Sequence, residues 1–160
     1  MLKPEKIFSD LPGIEFRRAR GSEATEIKAF LEAAYSVYVP RMGRMPLTMK
    51  TDFAAAIRND LIWVLIEDDR LLAVLHLVLR SGYLFIEDVA VRVDRQRQGI
   101  GKKLLAFAEE EALGRSCHEI RLFTNETMVE NIALYQSLGY RELRREPCQG
   151  TDVIYMRKPL

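Results

Sequence analysis

Cysteine, histidine, net charge and long apolar runs are all scarce in this chain, and each shortage excludes a class of protein. Its two cysteines, Cys117 and Cys148, form no C-x-x-C pair and have no histidine at ligand spacing. A disulfide framework and a metal site are therefore not expected, and a reducing, cytoplasmic setting is. The formal net charge is only +1, whereas a protein whose main partner is nucleic acid carries a basic surplus for phosphate contacts. No stretch approaches the roughly 18 consecutive apolar residues of a membrane-crossing helix. Met1 to Asp10 mixes lysine with glutamate and lacks the apolar centre of a secretion signal. Neither nucleic acid nor a membrane is an expected partner. What is present is a chain of 160 residues, 48% hydrophobic and 29% charged, the balance of one globular domain with its own core. Residues 1–12 read as an N-terminal tail and 13–160 as the domain.

Periodicity supplies the elements. Ile14, Phe16 and Arg18 alternate as a first strand, and Ser22 is placed as the N-cap of a helix carrying Ile27, Phe30, Leu31, Ala34 and Tyr38, ended by Pro40. A second helix spans Thr51 to Arg58. Leu61 to Glu67 and Leu71 to Leu79 flank an Asp68-Asp69-Arg70 turn, and Tyr83 to Val93 follows as the next strand of the meander. Leu104, Leu105, Ala108 and Ala112 line one face of a helix closed by Gly114. Glu119 to Thr124 is then a strand parallel to its predecessor, because a helix separates the two. A helix from Val129 to Leu138 stops at Gly139, and Tyr140 to Arg145 with Asp152 to Lys158 make a closing hairpin. The order describes an α/β domain with a mixed sheet.

The richest segment is Asp94 to Leu105, where a strand runs into Gln96-Arg97-Gln98-Gly99-Ile100-Gly101 and a helix begins. Two glycines one residue apart let the backbone turn tightly and approach a ligand closely. The first amides of a helix lack intrahelical partners and sit at the positive end of its dipole, and Lys102 and Lys103 add charge. An anionic phosphate is the natural guest. A Walker loop does not fit, because Lys103 follows Gly101-Lys102 where Ser or Thr is required. A dinucleotide fingerprint fits poorly, because Leu104 takes the place of its third glycine.

Gln96-Arg97-Gln98-Gly99-Ile100-Gly101 instead resembles the Q/R-x-x-G-x-G/A signature of the GNAT superfamily of N-acetyltransferases. Ile86-Glu87-Asp88-Val89-Ala90-Val91 is similar to the strand that enters this loop in the superfamily, and Asn131 to Tyr140 is similar to its later N-x-x-A-x-x-L-Y-x-x-x-G-F/Y motif. The resemblance implies a single-domain α/β fold with a mixed, mostly antiparallel sheet of about seven strands and about four helices. It also implies acetyl-CoA as cosubstrate and transfer of the acetyl group directly to a primary amine of a small molecule or peptide. A homodimer is compatible with it. A non-catalytic acyl-CoA-binding module is the alternative, distinguished by whether thiol is released.

Carried over by position, the resemblance implies diphosphate binding at Arg97, Gln98, Gly99, Ile100, Gly101 and Lys102. It places the pantetheine arm along Val91 and Val93, with the Val91 amide polarising the thioester carbonyl. Asn131 and Tyr135, four apart on one helix face, match a pantetheine contact and the acid that protonates the departing thiolate; aromatic packing beside Leu138 is the other reading of Tyr135. An alkyl ammonium needs a base before it can attack. Regular alternation puts Glu87 with Tyr83, Phe85, Val89 and Val91, and Asp88 with Leu84, Ile86 and Ala90. Desolvation in such a row raises a carboxylate's pKa and makes it a better base. Polyamine-type relatives use the glutamate of a comparable pair, which implies Glu87, acting directly or through water; an ion pair with Arg121 is the competing reading. Tyr35, Tyr38, Arg41, Met42 and Arg44 fall where the superfamily builds its acceptor side. The two arginines suit an acceptor carboxylate, or form a solvated basic loop. His76 and His118 are read as structural.

Overall fold

Each strand expected from the sequence forms, and all of them join one sheet. The computed structural model describes residues 3–160, apart from the side chain of residue 48. The strands are β1 (Ile14–Arg18), β2 (Leu61–Glu67), β3 (Arg70–Arg80), β4 (Tyr83–Val91), β5 (Glu119–Asn125), β6 (Arg141–Cys148) and β7 (Thr151–Pro159). The helices are α1 (Pro4–Ile7), α2 (Ala24–Ser36), α3 (Val39–Met42), α4 (Phe53–Asn59), α5 (Ile100–Gly114) and α6 (Val129–Ser137). The sheet is seven-stranded in the order β1-β2-β3-β4-β5-β7-β6, and β4 with β5 is its parallel pair, the other neighbours being antiparallel. The four longer helices lie where periodicity placed them; α1 and α3 are single turns that a 3.6-residue pattern is too short to reveal.

Local chemistry explains the turns. Asp68 and Asp69, at φ 49° and 59°, give the left-handed pair of a two-residue hairpin turn, and Gln149-Gly150 does the same between β6 and β7. Ser22 is not the cap of α2. It sits in a 3-10 turn, Gly21–Glu23, and Glu23 reaches back to accept the Arg20 N–H at 2.7 Å while binding the Arg17 guanidinium at 2.6 Å. Pro40 does not end α2, which stops at Ser36; it opens α3, where its missing N–H costs nothing. Gly114 stays helical, and Ser116 at φ 57° makes the left-handed exit. Tyr83 to Val93 is shorter than expected as a strand, since Val93 begins a 3-10 turn.

Two cores flank the sheet. On one face Leu75, Leu77, Leu84 and Ile86 pack under Leu104, Phe107 and Tyr135; on the other Ile62, Val64 and Val74 pack under Ile27, Leu31 and Phe53. β3 is covered on both faces, so it is buried from Leu71 to Val78 and its sequence is an apolar run rather than an alternation. The stretch read as a tail contains α1 and packs on the domain. Phe8 is 4% exposed, its ring edge-on to Phe16 at 5.2 Å, and Asp10 pairs with Lys103 of α5. Met1 and Leu2 of that stretch lie outside the described residues. Among the described residues no helix is long and apolar enough to cross a membrane.

Candidate active site

The site is made by a strand that leaves its neighbour. β4 pairs with β5 only from Tyr83↔Glu119 to Ile86↔Leu122, although β4 continues to Val91 and β5 to Asn125. The departure coincides with a β-bulge: against β3, Asp88 pairs with His76 and Ile86 with Leu77, leaving Glu87 as the extra residue. An inserted residue bends and over-twists its strand, which turns the end of β4 away from β5. Arg92 donates its N–H to the Leu72 carbonyl of β3 at 2.8 Å, so by alternation the N–H and C=O of Val91 and Val89 project from the opposite edge, into the gap. The Val91 carbonyl accepts from Gln96 Nε2 at 3.0 Å. A cavity of about 550 Å³ occupies this wedge, walled by β4, β5, α2, α5 and α6.

The bulge also corrects the expected faces. Glu87 remains with Tyr83 and Phe85 but is parted from Val89 and Val91. Asp88 leaves Leu84 and Ile86, which face α5, and turns with Ala90 toward α2 and α4.

At one end of the wedge lies the glycine loop. Gly99 has φ 83° and caps α5, whose first backbone bond runs from the Lys103 N–H to the Gly99 carbonyl at 3.1 Å. The amides of Ile100, Gly101 and Lys102 precede that bond and are open to an anion. Arg97 is left-handed as well, at φ 61°, so the loop curls into a concave nest of N–H groups. A Cβ on Gly101 would meet nothing within 4 Å among the described residues; the protein itself does not require glycine there, and a closely approaching ligand would. Arg97 and Lys102 line the cavity without an ion-pair partner among the described residues. The loop's other cations, Arg92, Arg95 and Lys103, are neutralised. Glu67 holds Arg95, and Arg92 at 3.2 Å, while Asp10 holds Lys103, which therefore does not add the charge expected of it. Gln98 lies outside the cavity, its Oε1 accepting from Arg95 at 3.0 Å, and Val93 is 54% exposed on the turn.

Further along stand the titratable groups. Tyr135, buried on α6, lines the cavity with its ring edge-on to Tyr140, and burial pushes its hydroxyl up to about 12. It both packs and faces the cavity. Asn131, one turn earlier, lines the same wall and donates to Met128 Sδ at 3.6 Å. Glu87 lines the cavity with no ion pair among the described residues; Arg121, the alternative partner, binds Glu119 and lies over the Tyr83 ring at 3.9 Å. Partial burial, then the charge of Asp88, raises the Glu87 pKa above the usual carboxylate value. Behind it runs a chain that the sequence did not reveal. Tyr35 donates its O–H to Asp88 Oδ1 at 3.1 Å, Asp88 Oδ2 lies 3.2 Å from His76 Nδ1, and His76 Nε2 lies 2.8 Å from Asp60 Oδ2. Burial alone would lower the His76 pKa, but its two carboxylate partners raise it overall.

Of the expected acceptor residues, Tyr35, Tyr38, Met42 and Arg44 line the cavity. Arg41 does not: it is bound to Glu130 at 2.5 Å and rests 5.9 Å from the Tyr38 ring. Thr124 and Asn125 of β5 also line the wedge, and only the splay of the strands exposes them.

Residues 27–140 match the model of the Acetyltransferase (GNAT) family. The [ribosomal protein bS18]-alanine N-acetyltransferase of Salmonella typhimurium is 33% identical over 138 residues, covering 81% of this chain and 91% of that protein. The thialysine N-epsilon-acetyltransferase of Sus scrofa is 33% identical over 60 residues; the match covers 38% of this chain and only 35% of that protein. The PaiA N-acetyltransferase of Thermoplasma acidophilum, solved in complex with coenzyme A, shares the fold with a TM-score of 0.75 at 16% identity, covering 92% of this chain and 99% of that one. By the extent of the family match, and by a relative aligned over most of both chains, this chain belongs to the GNAT family of acetyltransferases.

Proposed function

We propose that this protein transfers the acetyl group of acetyl-CoA directly to the primary amine of a small molecule or peptide, in a reducing, cytoplasmic setting. One observation carries the reading: a single cavity joins the glycine nest, the open edge of β4, Tyr135 and Glu87. Relatives named for acetylating a ribosomal-protein alanine and for thialysine support the amine class, and the CoA complex of a protein of the same fold supports the donor.

The diphosphate of the donor fits the amides of Ile100 to Lys102, with Arg97 and Lys102 supplying charge. Its amide-bearing arm would add to the free edge of β4 as an extra strand, where the Val91 N–H is placed to stabilise the thioester oxygen as negative charge develops on it. Asn131 offers a side-chain contact to that arm. Glu87 takes a proton from the ammonium, so that the nitrogen lone pair attacks the carbonyl carbon. Tyr135 then protonates the sulfur as the carbon–sulfur bond breaks, and the second proton, lost from the nitrogen as the neutral amide forms, restores the Tyr135 hydroxyl. Donor and acceptor are bound together, without an acyl-enzyme.

Mixing the protein with acetyl-CoA and a panel of primary amines is expected to release free thiol, read with a thiol-reactive dye. Binding of CoA with no thiol from any amine would make the protein an acyl-CoA-binding module instead. Tyr135→Phe keeps the ring packing and removes the proton, so turnover should fall ~10- to 100-fold with the melting temperature nearly unchanged; undiminished turnover would leave Tyr135 a packing residue. The acceptor's carboxylate, where it has one, is expected at Arg44. That guanidinium lines the cavity with Nε buried and, among the described residues, unpartnered, its contacts there being long ones to the carbonyls of Met45 at 3.4 Å and Cys148 at 3.5 Å. Arg44→Ala should raise KM for an amino acid roughly 10-fold and leave that for its amide unchanged, whereas Arg41→Ala should alter neither. Equal effects on the acid and the amide would remove the carboxylate from this reading.

A further inference from the structure

The chain Asp60, His76, Asp88 and Tyr35 does more than fill space, because it dictates which way a hydroxyl in the cavity wall can bond. Asp88 is fully buried at its side chain and His76 is 2% exposed, so their polar atoms must be satisfied from within. Both imidazole nitrogens face carboxylates, Nδ1 toward Asp88 and Nε2 toward Asp60, and a ring so placed is a double donor. Asp88 accepts from that ring and from the hydroxyl of Tyr35. A phenol has one hydrogen. With it committed to Asp88, Tyr35 has only lone pairs left for the cavity that it lines.

The rest of the surroundings agree. The groups facing His76 are Asp60 where α4 meets β2, Asp88 and, one residue earlier on β4, Glu87; the Phe53 ring of α4 lies 6.2 Å from the imidazole, and Tyr35 reaches in from α2. Three carboxylates therefore gather around one imidazole. Glu87, the carboxylate on the cavity side, has no cation of its own among the described residues. Burial and the Asp88 charge hold the Tyr35 hydroxyl well above its ordinary pKa, so it remains a phenol.

We infer that Asp60, His76 and Asp88 are positioning residues that fix Tyr35 as an obligate hydrogen-bond acceptor, and that Tyr35 and Glu87 together seat the acceptor as an alkyl ammonium. The inference rests on the acetyl-transfer reading and deepens it by naming the acceptor's charge state and class. The favoured acceptors are aliphatic amines that arrive protonated at neutral pH, in preference to weakly basic aryl amines and to alcohols. Once the ammonium is seated, one N–H proton passes to a Glu87 carboxylate oxygen, and the electron pair of that N–H bond becomes the nucleophile.

The test uses the full chain saturated with CoA, so that no reaction occurs, titrated with n-butylammonium chloride and with n-butanol and followed by NMR shifts of cavity residues. The wild type is expected to bind the ammonium at least tenfold more tightly than the alcohol of the same shape. Tyr35→Phe should lose about tenfold toward the ammonium and little toward the alcohol. Glu87→Gln, a change on a different element, should narrow the same preference and keeps the test decisive if Tyr35→Phe folds poorly. Equal binding of the two probes, no binding of either, or a full ammonium preference surviving in both variants would overturn the inference. CoA is titrated first: its failure to bind strikes the acetyl-transfer reading, whereas CoA binding without ammonium preference strikes the seat alone.

Discussion

Glu87→Gln is expected to lower kcat by about 100-fold or more for any alkyl amine, because a positioned base contributes roughly 100- to 10,000-fold and glutamine keeps the shape while removing the function. The bulge gives Glu87 its position. It is half-buried, lines the cavity and forms no ion pair among the described residues; burial outweighs the attraction of His76 and Arg80, so its proton affinity stays raised. In the wild type, kcat/KM should rise with pH through an apparent pKa above the ordinary glutamate value. The substitution should abolish that limb. Stability should move the other way. A carboxyl whose folded pKa is raised stabilises the protein below its unfolded pKa and loses that contribution as pH rises through the folded value. At neutral pH the buried charge is thus a cost, and Glu87→Gln should melt at a higher temperature than the wild type, the gain disappearing in acid. Melting curves across pH check this. Unchanged kcat would move the base elsewhere, and an unchanged melting temperature at neutral pH would contradict the desolvation of Glu87.

Gly101→Val is expected to weaken acetyl-CoA binding by about 100-fold or more, equivalent to ~2.8 kcal/mol, with the fold intact. The two glycines of the loop serve different ends. Gly99 has φ 83°, a conformation that costs an L-residue roughly 1–2 kcal/mol, so a side chain there strains the protein itself. Gly101 has no such angle, and its added Cβ has open space around it. Valine at 101 therefore leaves the free protein unstrained but, in the proposed complex, would stand where the donor's diphosphate approaches the amides. Calorimetry with acetyl-CoA should show the loss, and the melting temperature of the free variant should not fall. Retained affinity would place the diphosphate away from this nest. A comparable fall in stability for both glycine variants would mean that Gly101 too is needed by the fold.

The structure shows why some residues could be placed from their neighbours in the chain and others could not. Gly99, Gly101, Asn131 and Tyr135 lie in short motifs whose geometry is local: a left-handed cap, a helix start, two positions one turn apart. Each was legible. Arg41 and Arg44 look alike in sequence, three residues apart among methionines, yet Glu130 of α6 draws one away and leaves the other in the cavity. Lys102 and Lys103 are adjacent, and Asp10 of the N-terminal stretch neutralises only the second. His76 has no partner nearby in sequence; in space it has two, from α4's end and from β4.

By itself the sequence determined the elements, their order, the glycine nest and the family resemblance, because side-chain periodicity and the conformational freedom of glycine act over a few residues. Only the tertiary structure decided that Glu87 is a bulge residue, that β4 and β5 part to open the cavity, and that Asp88 turns from one core to the other. It also decided which charges are spent on one another and which, among the described residues, line the cavity unpaired. Those outcomes depend on strand register and on side chains from opposite ends of the chain competing for the same partner. Both are settled by three-dimensional packing, and an alternation pattern carries no trace of them.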